Sequence, residues 1–170
     1  LEELFPLVHK ELQKTEIDGN LLYYWKGKSS EKPILLMSHQ DVVPAEGEWI
    51  HAPFSGDIAD GKVWGRGTAD TKCTVMAFLE AVEELTQRPM LRDEIREYLN
   101  PIYDLERLIS RISYQSANPR DMVAFASSLA MIPYIRQVLQ EFEAPVLKKI
   151  YEDMDPLEDV TDLIKRAIVD

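Results

Sequence analysis

The spacing of hydrophobic and polar positions divides this chain into a mixed first half and a helical second half. Apolar groups recur at helical spacing in residues 1–14, which predicts a short amphipathic helix. A turn signal at Ile17–Asn20 precedes the aromatic and aliphatic run Leu21–Lys26, which predicts a strand. Pro33–Ser38 is a nearly continuous apolar run, typical of a strand buried on both faces of an α/β sheet. Lys62–Trp64 predicts a further short strand.

Beyond these strands the pattern predicts helices alone. The first runs from Thr71 to about Thr86 with an amphipathic pattern. The others are expected at residues 91–99, at 102–112, from Asn118 to about Met131, from Pro133 to about Phe142, from Pro145, and at the C-terminus.

Two polar strings that contain proline predict helix starts. Asn118 is expected to cap a helix, with Pro119 in its first turn and Asp121 near the positive end of the helix dipole. Asp155, with Glu158 three residues on, predicts a second cap of the same kind. The expected fold class is therefore an α+β composite, a partial α/β domain followed by an all-α helical segment.

Composition narrows the function classes. The net charge of −11 argues against a general nucleic-acid binder, because phosphate contacts need clustered Lys and Arg. The lone Cys73 excludes an internal disulfide and favours a reducing cytosol, so we expect a cytoplasmic protein. No apolar run approaches the ~20 residues of a membrane span, so no membrane partner is expected. All glycines, histidines and tryptophans precede residue 68.

Candidate chemistry lies in the first half, at His39, Asp41 and Asp70. His39 and Asp41 follow a predicted strand, where open α/β sheets place ligands and catalytic groups. Alternate residues of an extended segment point the same way, so Asp41 could orient an imidazole that binds a metal. Asp70 follows a glycine-rich turn, and a carboxylate has two oxygens with which to bridge two divalent ions. A structural His39 bonded to a backbone carbonyl is the alternative.

The strings LLMSHQDVVP, EWIHAPFSG and DGKVWGRGTADTK extend this pattern. Together they resemble the dinuclear-zinc aminoacylase and carboxypeptidase family over about residues 4–85. The resemblance implies a partial zinc-peptidase catalytic domain that acts on N-acyl amino acids or small peptides. It also implies that His39 is a zinc ligand, that Asp70 bridges two zinc ions, and that Asp41 is the catalytic position that orients His39.

Several features depart from that family. Its later Glu-Glu pair, further acidic ligand and distal histidine have no counterpart, since no histidine follows His51. Glu83-Glu84 lies on the helix after Asp70, where a solvated helix face is expected. Cys73 is expected to be a small buried hydrophobe. Two protein ligands hold a catalytic zinc poorly, so only a weak or partial zinc site is expected, in a chain inactive on its own. His9 and His51 are not expected to bind metal.

The second half carries LRDEIREYLNPIYDLERLISRISYQSANPRDMVAFASSLAMIPYIRQVL. This string resembles the core (lever) domain of the DNA mismatch-repair protein MutS, over roughly residues 81–170. The resemblance implies helical scaffolding that transmits conformational change. No G-x-x-x-x-G-K-[ST] phosphate loop and no Phe-x-Glu wedge are present, so neither ATPase activity nor mismatch recognition is expected. Arg107 and Arg111 are expected to form ion pairs along their helix rather than phosphate contacts.

These expectations place one domain at residues 1–85 and a second at 86–170, joined near the string Ala81–Leu85, which fits both families. The chain as a whole is expected to be a fragmentary chimera. The alternative is a scaffold segment of a MutS-type repair protein. Unpaired strand edges or exposed helices could allow an oligomer.

Overall fold

The computed structural model describes residues 1–27, 29, 31 and 33–168. The chain forms two compact units, Leu1–Gln87 and a second from Arg88 onward. Helices predominate and the strands are few and short, so the fold is α+β and mostly helical. Among the described residues the sheets are two antiparallel pairs, β1–β2 and β3–β4, rather than the α/β sheet expected from the sequence.

The first unit opens with helix α1 (Pro6–Glu11), which is shorter than the predicted helix over residues 1–14. Strands β1 (Gln13–Ile17) and β2 (Asn20–Tyr24) follow and pair in a hairpin. The two loop residues Asp18 and Gly19 have φ angles of 49° and 79°. Positive φ at both positions is the type I′ geometry that matches the twist of the flanking strands, which explains the turn signal.

The short strands β3 (Ile58–Ala59) and β4 (Lys62–Val63) form a second hairpin. A helical turn at Thr68–Lys72 then leads into helix α2 (Cys73–Gln87). Helix α2 confirms the amphipathic helix predicted from Thr71. The core of this unit forms where α1 packs on α2, from the side chains of Phe5, Val8, Leu12 and Leu79.

The predicted strand at Pro33–Ser38 is wrong. The segment is in no strand, and its apolar side chains are exposed, Ile34 to 89% and Met37 to 75%. A strand needs hydrogen bonds from a neighbouring strand, and within the described residues no such neighbour lies beside this segment. Its composition is that of a sheet interior, but the pairing that would bury it is not formed.

The second unit is helical throughout its regular structure. Its six helices in the described residues are α3 (Pro89–Leu99), α4 (Leu105–Ser113), α5 (Pro119–Leu129), α6 (Ile132–Leu139), α7 (Pro145–Asp153) and α8 (Glu158–Ala167). Proline begins α3, α5 and α7, at the first helical position where its missing N–H costs nothing.

One predicted cap is confirmed and the other is wrong. The Asn118 side chain accepts from the Asp121 amide at 3.0 Å, and the Asp121 carboxylate accepts from the Asn118 amide at 2.9 Å. Asp155, in contrast, does not cap α8. Its carboxylate accepts from the Leu157 amide at 2.9 Å in a local turn, and the helix begins afterwards at Glu158.

The core of the helical unit is filled by side chains from nearly all its helices. Phe142 and Ser128 are fully buried. The Ser128 hydroxyl accepts from the Tyr103 amide at 3.0 Å and donates to the Ala124 carbonyl at 2.8 Å, so its burial leaves no unpaired polar group. The other buried apolar side chains of this unit are Leu108, Ala126, Leu129, Ile135, Val138, Leu139, Ala144, Leu147 and Ile164.

One stretch, Pro119–Leu139, is long and apolar enough to span a membrane by length and composition. The expectation that no apolar run comes near the length of a membrane span is therefore wrong for this stretch. Within the helical unit α5 packs against α4 and α8, and α6 packs against α3 and α7. Core helices of globular domains show the same apolar character.

Candidate functional site

Asp70 is presented by the glycine-rich turn that precedes it. Gly67 has a φ of 82°, and a Cβ atom there would lie 2.4 Å from the Val42 Cγ1 atom. Only glycine therefore fits this position without displacing Val42. The Arg66 amide donates to the Pro53 carbonyl at 2.7 Å, which fixes the turn to the preceding loop. The peptide bond after Asp70 is cis.

The structure brings His39, Asp41 and Asp70 together. The His39 Nδ1 atom lies 3.0 Å from the Asp41 carbonyl oxygen and 3.3 Å from Asp41 Oδ1. The other ring nitrogen, Nε2, lies 3.6 Å from Asp70 Oδ1. One side of the imidazole thus faces Asp41, where the closer partner of Nδ1 is the backbone carbonyl, as in the alternative of a structural His39. The other side faces Asp70. Their roles at a metal stay predictions.

These distances favour one tautomer of His39. A carbonyl oxygen only accepts, so Nδ1 carries the proton that is donated to Asp41. In the neutral ring Nε2 then presents a lone pair toward the Asp70 carboxylate. With a protonated ring, the 3.6 Å between Nε2 and Asp70 Oδ1 is the distance of an ion pair. It is also close to the about 3.4 Å that separates two ligands of one tetrahedral zinc ion.

Thr71 and Ser38 hold the site together, and neither was predicted from the sequence. The Thr71 hydroxyl donates to the His39 carbonyl at 3.1 Å and lies 3.2 Å from the His39 amide, which donates to it. The Ser38 hydroxyl lies 2.8 Å from the same Thr71 oxygen. Thr71 thereby connects the His39 backbone to the turn that carries Asp70. The signal in the sequence was that each hydroxyl residue is adjacent to a candidate ligand, Ser38 to His39 and Thr71 to Asp70.

The donor set is incomplete for a catalytic zinc. The side chains of Asp41 and Asp70 are 93% and 86% exposed. No group of three or more His, Cys, Asp and Glu side chains that could hold a metal occurs in the described part of the chain. A catalytic zinc has three protein ligands and a water, so the residues present do not make a complete site. An open cleft of about 330 Å³ lies over these side chains.

Two expectations for neighbouring residues are wrong. Glu83 and Glu84 are buried, not part of a solvated helix face. The Glu83 carboxylate accepts from the amides of Leu7 and Val8 at 3.0 and 2.8 Å, which satisfies the first turn of α1. Cys73 is exposed rather than buried, because its position at the start of α2 faces away from the α1–α2 core.

The other two histidines have partners of their own. His9 Nδ1 lies 2.8 Å from the Phe5 carbonyl, and its Nε2 lies 2.8 Å from the Tyr23 hydroxyl. His51 Nδ1 lies 3.2 Å from Asp57 Oδ2. These contacts are structural, and neither histidine reaches the cleft that His39 lines.

In the helical unit, Arg111 donates to the Asp121 carboxylate at 2.9 Å. The same carboxylate closes the Asn118 capping box, so a single acidic group ties α4 to the start of α5. The ion pair expected for Arg111 thus connects two helices rather than lying within one.

Two family comparisons match this chain, in different parts. MutS domain III matches residues 74–170, and the peptidase family M20/M25/M40 matches residues 35–95. The overlap at 74–95 includes Ala81–Leu85, the string expected to fit both families. No solved structure matches the chain.

Curated relatives show the same division. The DNA mismatch repair protein MutS of Lachnoclostridium phytofermentans is 53% identical over 96 residues, which is 56% of this chain and 10% of that protein. MutS of Caldanaerobacter subterraneus is 41% identical over 118 residues, 69% of this chain and 13% of the relative. Probable carboxypeptidase S-like 2 of Dictyostelium discoideum is 53% identical over 89 residues, 50% of this chain and 17% of the relative.

The chain thus spans only 10% to 17% of the length of these relatives. The MutS match nevertheless covers more than half of it and includes every helix of the second unit. By this match the chain belongs to the MutS domain III family.

Proposed function

We propose that the helical part of this chain is a scaffold segment of a MutS-type DNA mismatch-repair protein. The observation that carries the proposal is the MutS domain III match over residues 74–170. The helices in this region are long relative to their connections, and part-buried polar contacts link Ser128 with Tyr103 and Arg111 with Asp121. A segment built in this way can pass a displacement from one end to the other without unfolding.

The charges of this region support scaffolding over direct DNA contact. Residues 88–168 carry Arg and Lys interspersed with Asp and Glu, and Arg111 is paired with Asp121. DNA binding needs a cluster of cations on one face, because affinity comes largely from neutralised phosphates. We therefore expect the purified chain to show no mismatch binding and, without a phosphate loop in its sequence, no ATP hydrolysis.

A domain graft tests the scaffold directly. Residues 74–170 would replace the aligned segment in the Lachnoclostridium MutS, and the hybrid would be assayed for mutation frequency in a host that lacks MutS. We expect the hybrid to restore repair, and a hybrid that also carries Leu129→Asp at a buried position to fail. Tyr114→Asp, at an exposed position, is the matched control and should keep activity. A hybrid that folds and binds ATP but does not repair would contradict the proposal.

A second candidate function rests on the juxtaposition of His39 Nε2 and Asp70 Oδ1 at 3.6 Å. It is a zinc-dependent amidohydrolase of the M20 type that is incomplete in this chain, with small peptides or N-acyl amino acids as the implied substrates. His39 and Asp70 would hold the ion and Asp41 would orient His39. Since two side chains do not complete a catalytic zinc site, no hydrolytic step follows from these residues alone.

Titration of the purified chain with zinc, with binding measured by isothermal calorimetry, tests this second candidate. We expect weak binding that His39→Ala or Asp70→Asn abolishes. His51→Ala removes a histidine outside the cleft and should leave the affinity unchanged. Equal zinc affinity in wild type and His39→Ala would exclude the assignment. Zinc-dependent release of an amino acid from an N-acyl substrate would show instead that the site is complete.

The two matches together support a chimera as the origin of the chain, joined within residues 74–95 where both families match. A cytoplasmic location suits this proposal, because both parts have the composition expected of a reducing compartment, with Cys73 alone.

A further inference from the structure

Pro33–Ser38 forms an exposed apolar surface in the first unit, called here the ILLM segment. Its side chains Ile34, Leu35, Leu36 and Met37 are 89%, 68%, 59% and 75% exposed. No charged residue lies within it, although the chain carries a net charge of −11. Contiguous apolar patches on this scale mark interaction sites in soluble proteins.

The segment is held in place and is not a loose tail. Its last residue, Ser38, bonds through its hydroxyl to Thr71, and the His39 amide that follows donates to the Thr71 hydroxyl. Within the described residues, its own amides and carbonyls join no strand. The ILLM segment therefore presents both apolar side chains and backbone groups that no described strand pairs with, which is the template for another strand.

The sequence of the segment is complementary to itself. In an antiparallel pair related by a two-fold axis, Leu35 of one copy faces Leu36 of the other, and Ile34 faces Met37. Pro33 then falls at the first position of each strand, where a missing N–H is tolerated. The pairing is isologous, which means that both copies use the same segment as the interface and this pairing closes at two copies.

The segment exposes enough apolar area to drive association. The four side chains expose on the order of 500 Å² in one copy, a large patch for a monomer. Two copies together expose about 1,000 Å², which reaches the lower limit for a specific interface once the faces of the paired strands are covered as well. Because the segment carries no charge, no like charges lie directly opposite each other in the pair.

We propose that the ILLM segment is a self-association strand, and that its partner is the same segment of a second copy of this chain. The first product is an antiparallel dimer. Because alternate side chains point to opposite faces and all four are apolar, the paired strands leave two apolar faces that promote further assembly at high concentration.

Sedimentation velocity over a range of protein concentrations tests this proposal. The wild-type chain should sediment faster as the concentration rises. The double variant Ile34→Lys/Leu36→Lys should remain at the 19.6 kDa monomer throughout, because the four lysines of a pair would replace the apolar cross-strand contacts and put charge on both faces.

The matched control is Ile50→Lys/Met90→Lys, which makes the same change in charge at side chains that are 86% and 85% exposed. It should associate like the wild type. A monomeric wild type, or equal loss of association in the control and the ILLM variant, would overturn the proposal.

Amide hydrogen exchange adds a readout that is local to the segment. Protection at residues 34–37 should rise with protein concentration in the wild type and in the control, and should not rise in Ile34→Lys/Leu36→Lys. Association without concentration-dependent protection at these amides would overturn strand pairing as its cause.

Discussion

The first unit and the helical unit contain comparable proportions of apolar residues but bury them to different extents. In the helical unit the largest buried side chain, Phe142, is fully enclosed. In the first unit an uninterrupted apolar string, Ile34–Met37, lies in solvent. The difference lies in which residues each segment needs as hydrogen-bond partners, rather than in hydrophobicity.

A helix satisfies its backbone from residues four positions away, so a segment of helices can form wherever its own sequence is present. A strand satisfies its backbone only from another strand, which can be far away in sequence. The helices from Pro89 to Ala167 therefore pack into a core. Pro33–Ser38 has the composition of a buried strand, but within the described residues no other strand pairs with it, so it stays outside any sheet.

The largest effect is expected from Phe142→Ala. The ring is fully buried, and the guanidinium of Arg88, which also donates to the Glu141 carbonyl, lies 5.9 Å from its centroid. Truncation should lower the free energy of unfolding of the helical unit by about 3–5 kcal/mol. Urea unfolding followed by far-UV circular dichroism measures it. Tyr114→Ala, at a site 84% exposed, should change little, and equal losses in the two variants would contradict a packed helical core.

Glu83→Ala should give a smaller loss, confined to the first unit. It leaves the amides of Leu7 and Val8 without the carboxylate that accepts from them, at a cost of about 1–3 kcal/mol. All tryptophans lie in this unit, so tryptophan fluorescence during urea unfolding reports on it selectively. Glu80→Ala, on the same helix, is the control. If both glutamates tolerate alanine equally, Glu83 does not hold α1.

Asn118→Ala should cost about 1 kcal/mol, because it removes the side-chain acceptor at the start of α5. Asn118→Asp keeps an acceptor at that position and should retain most of the stability. Thermal unfolding by circular dichroism distinguishes the two variants. Indistinguishable melting temperatures for Asn118→Ala and the wild type would show that the capping box does not contribute.

Leu36→Ala is expected to have the smallest effect. It should change the free energy of unfolding by no more than about 0.5 kcal/mol in dilute solution, because truncation of an exposed side chain removes few packing contacts. A leucine inside a sheet would cost about 2–5 kcal/mol on the same substitution. Urea unfolding of this variant therefore separates the exposed segment from the buried strand that the sequence predicted. A loss in the larger range would remove the contrast between the two units.

The sequence predicted local features better than distant ones. The helix start at Asn118 is encoded within four residues, and the structure confirms its reciprocal bonds to Asp121. The start predicted at Asp155 failed because Leu157, two residues on, has a positive φ of 52°, so the helix begins only at Glu158. The burial of Glu83 could not be predicted from α2 alone, since its partners lie 75 and 76 residues away in α1.

The candidate site shows the same limit. Spacing along the chain and a family resemblance selected His39, Asp41 and Asp70, and the structure places them around one imidazole. Thr71, which links the His39 backbone to the Asp70 turn, was missed because its role depends on contact across 32 residues. Whether these side chains hold zinc stays a prediction for the titrations.

Hydrogen exchange of the dilute, monomeric chain, read by mass spectrometry, tests the contrast between the units most directly. We expect slow exchange across α5 and α6 and in the α2 amides of the α1–α2 core, and exchange near the unstructured rate at residues 34–37. Protection at residues 34–37 equal to that in α5, in a chain shown to be monomeric, would contradict it.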